Sequence, residues 1–294
     1  MSRYLETAWE ATVGYARYLW RDITEPTWHS YFYLLLAVSL AAWLWELARP
    51  WRREQPVLRE GFALDGFYLF FNFFGFSLLG YAGVSAAFAE VRDDAFGALG
   101  LAERFPLFAV ERWPIALQVG VFFVLRDLLH YAIHRVLHRV PALWRVHEVH
   151  HSVRQMGFAA HLRFHPFETV VYRTLEWVPL ALFGFGIEEL FFAHAVALVI
   201  GHWNHANVRV PLGPLRYLLN SPQMHLWHHA HDLPEERLAK HGGVNFGLSL
   251  SLWDYLFGTA FVPREDPDLR LGFPGVDRYP RGFFGHLVAP FRRR

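Results

Sequence analysis

The 294-residue sequence has no cysteine, and among its 28 basic residues only Lys240 is a lysine. The missing thiols exclude disulfides, thiolate-held metals and cysteine-bound iron–sulfur clusters, so any metal must be held by imidazole or carboxylate. An excess of charge of one sign is also missing: 28 Lys and Arg face 27 Asp and Glu, for a net charge of +1. No dense basic stripe is available to release counterions from phosphates, which excludes nucleic acid as a partner. The near-exclusive use of arginine suits a GC-rich, bacterial genome. Charged residues make up only 19%, while 53% are hydrophobic and 18% aromatic. That is too oily for an ordinary soluble enzyme and points to a chain embedded in a membrane.

A membrane-crossing helix needs about 20 mostly apolar residues. Four stretches approach this, at 29–48, 65–89, 114–133 and 170–203. The first reads as an anchor and not as a cleavable signal peptide, because no basic segment precedes it and it runs into "RPWRRE" without a small-residue cleavage site. The fourth is interrupted at Gly184, Gly186 and Glu188-Glu189, leaving two short apolar arms that fit a tilted helical hairpin or a re-entrant dip. The arginines that flank the spans favour one side. Arg49, Arg52, Arg53 and Arg59 follow the first span, and Arg135, Arg139, Arg145, Arg154 and Arg163 follow the third. This puts 49–64, 134–169 and everything from 204 onward in the cytoplasm. The predicted fold is therefore all-α and polytopic, with about four transmembrane helices, the last two forming the hairpin, under a cytosolic helical cap. The division expected is an anchor region with two spans (1–113), a catalytic domain (114–262) and an irregular basic tail beside the membrane (263–294). In a bacterium the natural location is the inner membrane.

Histidine is the residue the sequence has in excess, and 16 of the 18 fall between His130 and His241. "HRVLH" puts His134 and His138 one helical turn apart, "HEVHH" puts His147, His150 and His151 on one helix face, and "MHLWHH" repeats that spacing with His225, His228 and His229. "GHWNHAN" adds His202 and His205 at the end of the hairpin. One such pair at a membrane interface is unremarkable. Four clusters are different, because buried polar groups need partners and protonated imidazoles repel one another; a metal supplies the partner. A tetrahedral zinc uses about three or four protein ligands, and two six-coordinate ions with open positions use about eight to ten. The candidates are His134, His138, His147, His150, His151, His205, His225, His228 and His229, with His202 as a possible tenth, so two ions fit and one does not. Imidazole suits iron, zinc, copper and nickel alike.

"HEVHH" has a second reading. His147, Glu148 and His151 satisfy the H-E-x-x-H pattern of zinc hydrolases, in which the glutamate activates water. A membrane metalloprotease built this way would leave His150 idle and would explain neither "HRVLH" nor "MHLWHH". A membrane protein that only binds metal is the third possibility.

With these motifs in place, the chain resembles the fatty acid hydroxylase and sterol desaturase superfamily of integral membrane di-iron oxygenases. The likeness runs from about Leu125 to Pro263 through "DLLHYAIHRVLHRVPALWRVHEVHHS", "RFHPFE", "NHANV", "LNSPQMHLWHHA" and "NFGLSLSLWDYLFGT". It implies two iron ions held by His134, His138, His147, His150, His151, His225, His228 and His229, with His205 as a further ligand. It also implies dioxygen as co-substrate and a lipid whose unactivated C–H bond is hydroxylated or desaturated. Electrons would come from a separate ferredoxin or cytochrome b5-type protein, since the sequence has no such segment. The resemblance leaves the roles of His161, His165, His231 and His241 open. Asp127, one or two turns before His134, reads as the acceptor that fixes a ligand imidazole's tautomer, and His165-Pro166 with Glu168 as either a similar aid or a helix start. Asn207 and Asn245 read as turn or supporting amides, and Asp254 as a partner for an arginine.

Overall fold

The apolar stretches form helices where the sequence places them. In a computed structural model of the chain, which describes residues 2–28 and 30–292 and leaves out the side chains of 187–191 and 193, α1 (Arg3–Thr24) is followed by α2 (Tyr31–Ala48), α3 (Phe62–Phe70) and α4 (Ala82–Ala98). Then come α5 (Ile115–Arg139), α6 (Pro141–His151), α7 (Pro166–Phe183), α8 (Ile187–His205), α9 (Pro222–His228), α10 (Glu235–His241), α11 (Leu252–Leu256) and α12 (Phe283–Val288). No strand forms among the described residues, only isolated bridges between Pro50 and Val208 and between Ala230 and Leu271.

Three helical segments among the described residues are long and apolar enough to cross a membrane: Tyr31–Ala48, Phe62–Ala98 and Ile115–Arg139. They correspond to the first three expected spans. The second is longer than expected because α3 continues through two π-helical turns, Phe71–Gly75 and Ser77–Tyr81, into α4. Gly80, at φ 133°, breaks the helical path there, a backbone conformation open to glycine and strained for other residues. The fourth stretch forms α7 and α8, joined at Gly184 (φ 130°), so the hairpin arms appear as separate helices. Among the described residues neither arm is one of these three helices.

The hairpin tip lies beside the end of α5 away from its histidines. Val110, Phe122, Leu180 and Phe185 share one buried cluster, and the loop before α5 bonds to the tip through Leu107 N to Leu182 O (2.9 Å) and Phe108 N to Phe183 O (3.1 Å). At 1.5 Å per residue, Phe122 and His134 are about 18 Å apart along α5. The histidine end of the hairpin is held by a second core, in which Tyr31 and Leu35 of α2, Leu69 of α3, Phe158 and Leu162 of the 158–162 turn, and Leu198 of α8 meet. The C-terminal segment folds back over the cap. Phe273, Val276 and Tyr279 pack with Tyr68 of α3 and Val149 of α6.

The sequence reading assigns no element to the residues of α1. This helix is amphipathic, with a charged side and exposed Trp9 and Trp20, and it lies along α4. Arg3 pairs with Glu90 at 3.2 Å and with Asp94, and Tyr4 Oη donates to Asp94 at 2.7 Å. At its other end Asp22 caps α2 by accepting from Tyr31 N (3.2 Å) and Phe32 N (2.8 Å). The helices touch at Gly83, where a Cβ would come within 2.5 Å of the Ala8 carbonyl oxygen and of Thr12 Oγ1. We expect Gly83→Leu to separate α1 from α4. Limited proteolysis should then remove the N-terminal helix faster than from the wild type, without loss of bound metal; an unchanged cleavage rate would contradict this packing.

Candidate metal centre

The C-terminal half of α5, α6, the end of α8 and α9 converge on one buried volume. Their imidazoles fall into two groups whose ligand atoms lie within 4.8 Å of one another: His134, His138, His147, His151 and His228 in the first, and His150, His205, His225 and His229 in the second. Helical spacing explains the division. On α6, His147 and His151 are one turn apart and join the first group, whereas His150 points to the second; on and just after α9, His225 and His229 pair in the same way and leave His228 to the first. His134 is 5% exposed and His147, His150, His151, His205, His225, His228 and His229 are each 3% exposed or less.

The nitrogens are set up to receive cations. His138 Nε2, His151 Nε2 and His228 Nε2 are buried without a hydrogen-bond partner. In the second group the Nε2 atoms face one another, with His225 to His205 at 3.0 Å, His229 to His225 at 3.2 Å and His205 to His150 at 3.3 Å. Two nitrogens each about 2.1 Å from one ion, at octahedral or tetrahedral angles, are about 3.0 or 3.4 Å apart, so these spacings fit a shared metal. Tautomers agree on the far side of the rings. His134 Nδ1 donates to Phe246 O (2.9 Å), His138 Nδ1 to Gly242 O (3.3 Å), His205 Nδ1 to Gly201 O (2.8 Å) and His228 Nδ1 to Val244 O (2.7 Å), which leaves each Nε2 lone pair facing inward. His147 Nδ1 donates to Glu168 Oε1 at 2.7 Å, and Glu168 is fully buried.

The protein environment keeps these rings neutral. Burial, then the neighbouring imidazoles, holds His150, His151, His225 and His229 well below the ordinary histidine value. Burial lowers His228 to about 3. Neutral imidazole is the ligating form.

Other expected residues lie elsewhere. His202 is outside both groups; its Nε2 bonds Ser39 Oγ (3.0 Å) and its Nδ1 meets His161 Nδ1 (3.1 Å). The His161 ring lies against Gly201, where any Cβ would be 2.1 Å from the ring, so the absence of a side chain at 201 is what admits it. Asp127 does not fix a ligand tautomer. Its carboxylate accepts from Ser249 N (2.9 Å), Leu250 N (3.0 Å) and Trp253 Nε1 (3.0 Å), anchoring the loop that supplies the Phe246 carbonyl. Asp254 meets no arginine but accepts from Phe246 N and Gly247 N (2.8 Å each) and from Thr259 Oγ1 (2.6 Å), and burial raises it to about 6. Asn207 joins the end of α8 to the loop after α2, accepting from Arg52 N at 2.9 Å, and Asn245 ties Met224 O to the 261 backbone. His165 caps α7 by accepting from Phe167 N (3.1 Å), and it is Glu168, three residues on, that contacts a grouped imidazole. His231 pairs with Asp232 (2.6 Å) and His241 faces Arg135 (3.4 Å). Neither belongs to a ligand group. Glu148 is buried, and it contributes no donor atom to either group.

Residues 119–259 match the family model described as fatty acid hydroxylase. This segment belongs to the fatty acid hydroxylase and sterol desaturase superfamily. The chain is 34% identical to the ornithine lipid hydroxylase OlsE of Rhizobium tropici over 187 residues, covering 64% of the chain and 54% of that protein. It is 31% identical to the alkylglycerol monooxygenase of Danio rerio over 159 residues, covering 52% of the chain and 32% of that protein. It is 27% identical to methylsterol monooxygenase 1 of Rattus norvegicus over 139 residues, covering 46% and 44%. The chain thus spans about half the length, or less, of these relatives. No solved structure matches it. Within this segment the grouped histidines come from helices before and after the hairpin and, with His205, from the end of its second arm.

Glu168→Ala should weaken metal affinity about 10- to 100-fold, the usual cost of losing the partner that orients a ligand histidine; competition with a chromogenic chelator measures it, and wild-type affinity would contradict the role. The lowered histidine pKa values also set a pH dependence for the metal-free protein. The unfolded chain binds protons below about 6.5 while the folded cluster does not, so stability is complete above that pH and falls as pH drops toward about 3 for His228. Thermal unfolding midpoints of the apo-protein should decline steadily from pH 7 to pH 5, and a flat profile would contradict buried neutral imidazoles.

Proposed function

We propose that this chain is a membrane-bound dimetal oxygenase that hydroxylates or desaturates an unactivated C–H bond of a lipid. The observation that carries the proposal is the pair of all-histidine groups, five and four strong, joined through α6 and α9. We assign His134, His138, His147, His151 and His228 to one iron and His150, His205, His225 and His229 to the other. An iron pair held there supplies reductive activation of dioxygen and the removal of hydrogen from carbon. The relatives named as hydroxylases and monooxygenases of lipids support the same reading.

The chain's residues position, orient and exclude water. Backbone carbonyls at 201, 242, 244 and 246, with Glu168, hold five rings by Nδ1 and fix their Nε2 atoms. Burial of the cluster excludes bulk water, which would otherwise compete for an oxidant. Beneath the histidines, α5 and the hairpin meet in the apolar cluster of Phe122, Leu180 and Phe185, so a lipid tail entering between them from the bilayer would approach the centre from its membrane side. The arginine bias around the spans supports a cytoplasmic centre at a bacterial inner membrane. Electrons are assigned to a separate ferredoxin or cytochrome b5-type carrier. The hydrolase reading of His147, Glu148 and His151 draws on only two of the nine grouped histidines.

Comparative lipidomics of cells carrying the wild-type gene, His150→Ala or Glu148→Gln tests the proposal. One lipid class should gain an oxygen or lose two hydrogens in the wild type and in Glu148→Gln, and should be unchanged with His150→Ala. Loss of the product in Glu148→Gln together with oxygen-independent cleavage would favour a hydrolase. No lipid change with any reductant supplied would contradict an oxygenase.

A further inference from the structure

A cavity of about 260 Å³ opens on the cap side where α3 begins, lined in part by Glu60, Gly61, Ser152, Arg154, Arg163 and Arg281. It is separate from both histidine groups, although Ser152 directly follows the ligand His151 in sequence. Its wall is electrostatically unbalanced. Asp65, fully buried, accepts from Arg163 Nε at 2.5 Å and forms an ion pair with Arg59 Nη2 at 2.5 Å, so two guanidiniums share one carboxylate. The side chains of Arg59 and Arg163 are 3% and 6% exposed. Buried charges are normally paired, since taking an ion out of water costs several kcal/mol unless a partner compensates it. Here two buried guanidiniums contact the one carboxylate.

Arg163 Nη1 reaches only Ser152 Oγ, at 3.4 Å, and Arg163 Nη2 is buried with no hydrogen-bond partner. At the rim Arg154 pairs with Glu60, Arg281 approaches the same carboxylate at 3.5 Å, and Asp277 lies 3.8 Å from Arg154 while bonded to Arg270 at 2.8 Å. Of the charged side chains that line the cavity, three are guanidiniums, Arg154, Arg163 and Arg281, and one is a carboxylate, Glu60. The backbone is shaped to the arginine. Gly61 has φ +79°, and a Cβ there would lie 2.5 Å from Arg163 Nη2.

We propose that this cavity binds an oxyanion of the phosphate class. A surplus of planar guanidinium forks selects oxyanions by charge and by paired N–H geometry. The volume is just below the range of whole-ligand pockets, which starts at about 300 Å³, so it suits a phosphate group with its nearest atoms and not an entire lipid. Its place at the start of the candidate spanning segment Phe62–Ala98 is the level at which lipid phosphates lie. The phosphate can come from an anionic lipid headgroup or from solution, and the inference does not depend on the oxygenase reading.

The test uses the full chain in a maltoside detergent, which carries no phosphate, with inorganic phosphate or short-chain phosphatidylglycerol as probes. Binding is read by the thermal-unfolding midpoint and by native mass spectrometry. The wild type should bind one of them saturably. Arg154→Ala with Arg281→Ala, and separately Arg163→Lys, which keeps the charge and loses the fork, should each weaken binding about ten-fold or more, the loss expected for one charge-assisted contact. Metal content in the variants serves as the check of folding. Saturation by inorganic phosphate assigns the soluble source, and saturation by phosphatidylglycerol alone assigns the headgroup; both uphold the site. No saturable binding of either probe by the wild type, or binding equally tight in wild type and folded variants, overturns it.

Discussion

Nine histidines in two groups, eight of them buried, keep their ring nitrogens facing one another at the junction of α5, α6, α8 and α9. Without cations between them, such an arrangement leaves lone pairs opposed at about hydrogen-bond distance with too few protons to share, and the unpartnered Nε2 atoms of His138, His151 and His228 would each cost about 1–3 kcal/mol. The rest of the fold keeps these segments together despite that cost. It does so with carboxylates and amides placed away from the rings.

Those supports form a shell of buried polar anchors. Asp127 on α5 holds residues 249–253, Asp254 holds the 246–247 backbone, and Asn220 donates to Gly247 O at 2.6 Å. The same loop gives the carbonyls that orient His134, His138 and His228. An anchor placed in the middle of a candidate membrane helix therefore acts on the inward-facing ring nitrogens through the cap loop, two hydrogen bonds away from any grouped histidine. On the opposite side, Glu46 of α2 accepts from Phe158 N and Asn207 N, each at 2.7 Å, joining the first span to the end of the hairpin that carries His205.

Much of this was legible in the sequence because helical periodicity survives in tertiary structure. The i, i+3, i+4 spacing in "HEVHH" and "MHLWHH" announces shared faces, and the long apolar stretches announce three helices. What periodicity cannot express is which of two adjacent sites a ring enters. That choice depends on how α6 and α9 cross, and it sends His150 and His228 to different groups from their nearest neighbours in sequence. His202 shares a helix end with His205 yet turns toward Ser39, while Gly201 makes room for His161; a glycine one turn before His205 is the trace of this in the sequence. Asp127 and Asp254 were visible as unusual charges, but their backbone partners lie 122 and 8 residues away in sequence, and backbone donors leave no mark on composition. α1 escaped because its charged side breaks the apolar pattern of a span, and the cavity above α3 because its arginines come from four separate segments.

The account rests on two separate ions, and counting metal in purified protein tests it most directly. Elemental analysis by plasma mass spectrometry, on protein prepared without chelators, should give two ions per chain. One ion should be lost with His228→Ala, from the group of five, and the other with His225→Ala, from the group of four. A single ion in the wild type, or none, or the loss of both ions with either substitution, would contradict a centre built from two independent histidine groups.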